Sequence, residues 1–303
     1  MPRTLVAFIL LFLGAAVLRG LNLLNRSHAE RLAGLVFSIS LPATILVSLD
    51  RIEFTSTAWK LPLAASLVTL PMLVGAWQIA ALLELPRATR GAFLLATGCI
   101  NSIYFAYPTV LATLGETGLA QAILFDVGQT TITLTLLYAV ALWHGPASAR
   151  PEAALHRLLL APPLWALSSI LLLKLFGLRL PAWLFDLLLP VHFTTTPLAS
   201  LVLGLSINLT AKSNLSLAAV GVVLRMGGGI LLGFAAAELL GLAGVQRVVV
   251  ILVAGMPSAV TAVIFAAEAG LDEELTASIV ALSVVVGVLL LPFLPQFEQW
   301  LAS

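Results

Sequence analysis

Two ionisable side chains, Asp126 and Arg225, fall deep inside apolar stretches of this 303-residue chain. A charge at the centre of a bilayer costs at least about 2.5–3.5 kcal/mol on insertion scales. Each therefore needs a cavity or a partner. Asp126 is a group that can take up a proton or help hold a cation. Arg225 can pair with an anion, or with Asp126 when no anion is present. The plainer reading is a permanent structural pair, or charges reaching along a wet crevice. Gln129, Thr130 and Thr133 follow Asp126 at helical spacing, so one face of that helix is polar. Gln129 and Thr130 thus join Asp126 as candidate ion-coupling residues, although threonines inside membrane helices often bond only their own backbone.

A second polar group lies where two hydrophobic stretches are interrupted. One reads GCINSIYFAYP and ends at Pro108; the other reads AGMPSAVTA around Pro257. With the chain set against itself at an offset of 156, Asn101-Ser102 falls beside Pro257-Ser258, and Glu116-Thr117-Gly118-Leu119 beside Asp272-Glu273-Glu274-Leu275. A helix broken inside lipid frees amides and carbonyls that water cannot reach, which is tolerated where the break lines a protein cavity. Breaks at matching places in two halves point to a binding site of the alternating-access kind. The candidate binding residues are Asn101, Ser102, Tyr104, Pro108, Arg225, Pro257, Ser258 and Thr261. Asn101 offers donors and an acceptor, for a carboxylate or for the freed backbone. Ser258 and Thr261 supply hydroxyls, and the half-helix N-termini after the breaks would face an anion with their positive ends. Asn101 and Ser258 could equally serve as oxygen ligands to sodium. No resident metal or cofactor is expected; the only ion implied is a coupling H+ or Na+.

Other polar residues carry plainer readings. His192, in HFTTTP before Pro197, reads as a structural histidine. His28, His144 and His156 lie in or near loops. Glu53 and Asn208 occupy matching span ends and read as interfacial. The glycines at 227–229 allow close helix packing. Trp59, Trp143, Trp183 and Trp300 stand near span ends, as an interfacial belt requires.

The elements that must position these residues are membrane helices. The chain is 60% hydrophobic and 10% charged, with a mean hydropathy of +1.09; soluble domains carry roughly 25% charged residues. Ten apolar spans are expected, at about 4–20, 30–49, 58–83, 91–114, 118–143, 154–176, 182–209, 214–241, 245–269 and 274–295. The start, Met-Pro-Arg3 followed by LVAFILLFLGAAVL, has the look of a secretory signal, but no small-residue cleavage site follows and the repeat count needs this span. Pro42 in LPATILVSLDRIE and Pro197 in TPLASLVLGLSIN are offset by 155, close to the 156 of the breaks. Two units of five spans, 1–145 and 154–303, follow. An odd number of spans per unit makes the repeat inverted. Lys and Arg are slightly more numerous on the side that holds Arg87, Arg90, Arg150, Arg157 and Lys212, which places both termini outside the cytoplasm of a multi-pass cell-membrane protein.

Absences narrow the function. A net charge of +1 suggests no nucleic-acid partner. The single cysteine, Cys99, cannot form an intrachain disulfide. There is no Walker A motif, HExxH, Cys/His cluster or Gly-x-Ser-x-Gly, so neither ATP hydrolysis nor an enzyme is expected. A channel or sensor stays open as an alternative, though no filter loop is visible.

In order and spacing, these motifs resemble the auxin efflux carrier family over nearly the whole chain. The family pattern of Asn, a small and apolar stretch, Pro, then Gly-Glu-x-Gly reads here from Asn101 through Pro108 to Gly115-Glu116-Thr117-Gly118. Its second break, Met-Pro-[ST] with an acidic loop and a Ser-containing span, reads Met256-Pro257-Ser258, Glu268 to Glu274, and Ser283. LPATILVSL and PLASLVLGLSI resemble its second and seventh spans. The resemblance implies an all-α, ten-helix inverted repeat like that of bile-acid sodium symporters and sodium/proton antiporters, with spans four and nine crossing near Pro108 and Pro257. It implies a scaffold from spans 4–49 and 154–209, often dimeric, and a mobile transport unit from 58–143 and 214–295 with elevator-like motion. Family substrates are organic anions: auxins in plants, small carboxylates such as malate or malonate in bacteria. HGPASARPEA replaces the long loop of many plant members, which suggests a bacterial inner-membrane type. Phe105-Ala106-Tyr107 stands where relatives carry Gly before the first Pro, so auxin itself is not carried over. Coupling would run through protons at Asp126 or through sodium at the breaks; uniport is the third possibility.

Overall fold

A computed structural model describes residues 3–52, 57–146, 160–206 and 214–302, with the side chains of Arg26 and of 299–302 excepted. Glu53, Arg150, His156, Arg157, Asn208, Lys212 and the side chain of Trp300, all named above, lie outside the described residues. Among those described, regular structure is helical apart from one isolated β-bridge.

In chain order the helices are α1 (Arg3–Gly20), α2 (Arg26–Leu35), α3 (Leu41–Arg51), α4 (Lys60–Leu82), α5 (Arg87–Gly98), α6 (Tyr107–Ile132), α7 (Tyr138–His144), α8 (Pro162–Leu175), α9 (Ala182–Ser206), α10 (Leu215–Val222), α11 (Gly229–Leu239), α12 (Gly244–Ala254), α13 (Val260–Glu268), α14 (Glu273–Leu290) and α15 (Leu294–Ala302). Wide π-helical turns join α2 to α3 (Val36–Ser40), α6 to α7 (Thr133–Leu137) and α10 to α11 (Val223–Gly228), and Ser102–Ala106 leads into α6. Such turns locally release backbone groups and re-aim side chains.

Among the described residues, seven helical stretches are long and apolar enough to cross a membrane, against the ten spans expected. The difference lies in the broken spans. The fourth is divided between α5 and the start of α6, and the ninth between α12 and α13, so their halves are each too short alone. The fourth and fifth also merge into one stretch, Ser102–His144. Its 43 residues would run about 65 Å if straight, twice a bilayer core. Gly115 breaks the helical path with φ +67° and ψ −164°, a conformation that a side chain resists. Of the sixth span, the described residues hold α8, of 14 residues.

The described chain forms two compact units. The first is Met1–Ala58, Ile103–Ile123 and His156–Ile207; the second is Trp59–Ser102, Leu124–Leu155 and Asn208–Ser303. Residues 103–123 thus group with spans 4–49 and 154–209 rather than with 58–143. In the first unit α9 lies along α1, α2 and α3, and α3 packs on α8. Lys174 on α8 donates to the Asp50 and Ile52 carbonyls, and Asp50 Oδ1 accepts from Leu180 N, tying the end of α3 to the α8–α9 connection. In the second unit Phe93, Leu95, Tyr138, Phe265 and Ile279 share one core, with Tyr138 edge-on to Phe265 at 5.0 Å. Leu10, Leu172, Leu231 and Leu289 are each more than half exposed, which suits lipid contact.

Candidate functional site

The second unit contains two helix breaks that meet. α5 stops at Gly98, and Cys99 is extended. α12 stops at Gly255 because Pro257 has no amide to donate and disfavours helix at Met256. Between them Ile100 and Ser258 form an antiparallel bridge: Asn101 N donates to Pro257 O at 2.9 Å, and Ala259 N donates to Cys99 O at 3.1 Å. Asn101 Nδ2 adds a bond to Ser258 O at 3.4 Å. The first break thus centres on Ile100. Pro108, expected at the crossing, is instead the second residue of α6. It is the seventh residue of the continuous helical stretch Ser102–His144 and follows the π-helical turn Ser102–Ala106, where the backbone bonding is already irregular.

Two helices ending inside lipid leave eight carbonyls to satisfy, four from each last turn. All eight have donors. In α5, Leu95 O accepts from Cys99 N at 3.0 Å and Ala96 O from Ser258 Oγ at 2.6 Å. Thr97 O accepts from Arg225 Nη1 at 2.8 Å, and Gly98 O from Gln129 Nε2 at 3.0 Å. In α12, Ile251 O and Leu252 O share Gly255 N, Val253 O accepts from Met256 N, and Ala254 O accepts from Arg225 Nη2. Arg225 is 0% exposed and sits on a π-helical turn, and its planar fork reaches the ends of both helices. A cation there also opposes the negative ends of two helix dipoles. Its Nε is buried without a partner, and among the described residues no carboxylate pairs with it.

The remaining candidates fall into place around this. Gln129 is buried; besides Gly98 O it donates to Thr133 Oγ1 at 3.2 Å and accepts from Thr69 Oγ1. Asp126 is half-buried, and Thr130, exposed one turn on, donates to its Oδ2 at 3.3 Å. Ser258 N donates to Ser283 Oγ at 3.0 Å. Thr261, half-buried, is the second residue of α13. Ser102 is 4% exposed, and its hydroxyl has no partner among the described residues. Tyr104 and Pro108 belong to the first unit. The structure thus brings Asn101, Pro257 and Ser258 into contact, with Arg225 and Gln129 on the adjoining helix ends, while Asp126 and Thr130 form a pair of their own.

A family model described as membrane transport protein matches residues 3–295. The chain belongs to the membrane transport protein family. This is the family of the auxin efflux carriers, one of transporters and not of enzymes, and the chain is a multi-pass membrane protein. It is similar to an uncharacterized transporter of Methanothermobacter thermautotrophicus, 26% identical over 294 residues and 96% of each chain. An uncharacterized transporter of Methanocaldococcus jannaschii is 27% identical over 265 residues and 85% of each chain. In this membrane transport protein the sequence reading passed over Thr69, which orients Gln129, and over the backbone partners of Arg225. A threonine among apolar neighbours in the middle of α4 was the signal for the first. The second had none, since carbonyls are common to every residue.

Proposed function

We propose that this membrane transport protein is a secondary active carrier of small organic anions, carboxylates of the malate or malonate size, using elevator-type alternating access around the crossed segments. The observation that carries this reading is the one-sidedness of the crossing. Every terminal carbonyl of α5 and α12 is already bonded, so the negative helix ends are closed off. At the start of α13, Ala259 N is bonded to Cys99 O and Ala262 N to Ala259 O, while the amides of Val260 and Thr261 precede the first i→i−4 acceptor; the Ser102 hydroxyl is buried without a partner among the described residues. The amides of Val260 and Thr261 and the Ser102 hydroxyl can donate to a carboxylate. Asn101, Ser102, Ser258 and Thr261, all of the second unit, are its assigned contacts. Arg225 and Gln129 act as positioning residues that hold the helix ends together.

We assign proton coupling, with Asp126 as the carrier and Thr130 as its hydrogen-bond donor, and keep sodium at the breaks as the alternative. We read the ten spans as a five-plus-five inverted repeat with both termini outside the cytoplasm of the cell membrane. The scaffold of spans 4–49 and 154–209 is assigned as a homodimer contact. Uptake of labelled malate, malonate and indole-3-acetate into proteoliposomes, under separate proton and sodium gradients, tests the reading. Accumulation of a small dicarboxylate under the proton gradient is expected, with loss of the pH-driven component in Asp126→Asn. Accumulation under sodium alone would move coupling away from Asp126, and ungated conductance without saturation would make the protein a channel.

A further inference from the structure

The first unit holds a polar chain that the crossing does not use. His192 on α9 is 1% exposed. Its Nε2 lies 2.9 Å from Glu116 Oε1, and its Nδ1 lies 3.2 Å from Thr44 Oγ1. Thr44 Oγ1 is 2.7 Å from Thr195 Oγ1, and Thr195 donates to the carbonyl of Ser40 at 3.1 Å.

The direction of every proton follows from the end of the chain. A carbonyl only accepts, so the one hydroxyl proton of Thr195 goes to Ser40 O. Thr44 then donates to Thr195. With its proton so used, Thr44 accepts from Nδ1, which must carry hydrogen. The other ring nitrogen faces a carboxyl oxygen. Either Nε2 is also protonated, making an imidazolium against ionised Glu116, or Glu116 is protonated and donates to a bare Nε2. Both arrangements hold one proton in the 2.9 Å gap. Without it, two lone pairs would face each other there.

The charges around the pair favour the ionic form. Arg51 Nη1 lies 3.8 Å from Glu116 Oε1, and Ser48 Oγ donates to Oε2 at 3.4 Å. Asp50, beside Arg51 on α3, is occupied by Lys174 and Leu180 N. Asp186 stands on α9 six residues before His192. Arg19 of α1 bonds Leu205 O, thirteen residues beyond His192, and Glu30 and Arg31 lie on α2 ahead of the turn that ends at Ser40.

We infer that Glu116 and His192 form a one-proton binding site, and that the bound proton fixes the bend of α6 at Gly115. Gly115, with its φ of +67°, immediately precedes Glu116, so the contact sets where the helix resumes. The site is separate from Asp126 and does not depend on what is carried. The folded contact requires one bound proton and the unfolded chain requires none, so proton binding at this pair is linked to folding. Stability is therefore lost as pH rises, approaching a tenfold fall in the folded-to-unfolded ratio per pH unit. In Glu116→Gln the amide N–H donates to bare Nε2, and no proton is needed. Apparent melting temperatures of the full chain in detergent, from pH 6 to 9, are the test. Wild type is expected to fall with rising pH relative to Glu116→Gln. Parallel profiles would overturn the inference. Should Glu116→Gln fail to accumulate, His192→Gln keeps a non-titrating donor toward Glu116, and the same two outcomes decide.

Discussion

Arg225 meets two helix ends with one guanidinium, and its value lies in that geometry more than in its charge. Removing it leaves the Thr97 and Ala254 carbonyls without donors in a water-free interior. An orphaned buried polar group costs about 1–3 kcal/mol, so Arg225→Met is expected to destabilise by about 2–6 kcal/mol. Arg225→Lys keeps the charge but offers one compact head in place of a planar fork, and is expected to recover only part of the loss. Thermal unfolding of the purified variants measures both. If Arg225→Met melts with wild type, the two carbonyls do not depend on it. The sequence placed Arg225 inside a span and demanded a partner for it. It could not name backbone carbonyls, because which carbonyls are orphaned depends on where two distant helices stop.

At the scale of elements, the crossing depends on how closely α11 approaches α12. A Cβ added at Gly229 would lie 2.0 Å from Ala254 O and 2.6 Å from Arg225 Nη2. Gly229→Ala must therefore displace either the α12 end or its cap, at about 1–3 kcal/mol. A Cβ at Gly227, two residues earlier in the same GGG run, would meet nothing within 4 Å. Gly227→Ala is expected to be neutral or to stabilise by up to about 1 kcal/mol. Equal melting temperatures for the two variants would contradict the close approach. The run was legible as a packing motif, but not which glycine packs. Both breaks were legible too, since Asn101-Ser102 and Pro257-Ser258 interrupt otherwise apolar spans. The crossing itself was not: Pro108 drew attention as a helix-breaker, yet it follows the π-helical turn Ser102–Ala106 within one helical stretch, and the chain leaves helix at Cys99–Asn101 without a proline. The Glu116–His192 contact was hidden for a similar reason. His192 sits among threonines in one span and Glu116 in a loop-like motif 76 positions away, and only the bend at Gly115 brings them together.

For the whole molecule, composition settled the membrane class and the order of motifs pointed to the family, because apolar length and broken spans are written locally in the chain. Substrate and coupling ion are not, since they depend on which polar groups stay open once the helices have closed on one another. Ser102 isolates that question. Its hydroxyl is buried and has no partner among the described residues, so nothing in the fold depends on it. Removing an unsatisfied buried hydroxyl is neutral or stabilising. If the crossing binds a carboxylate, the same hydroxyl contributes a hydrogen bond to a charged ligand, worth about 1.5–3 kcal/mol, or roughly a tenfold or greater weakening when lost. The most direct measurement is the half-saturation concentration for dicarboxylate counterflow in proteoliposomes, compared between wild type and Ser102→Ala, with melting temperatures taken on the same preparations. The expected result is a half-saturation concentration at least about tenfold higher with an unchanged or raised melting temperature. An unchanged half-saturation concentration in a well-folded Ser102→Ala protein would contradict the crossing as the place where the anion is held.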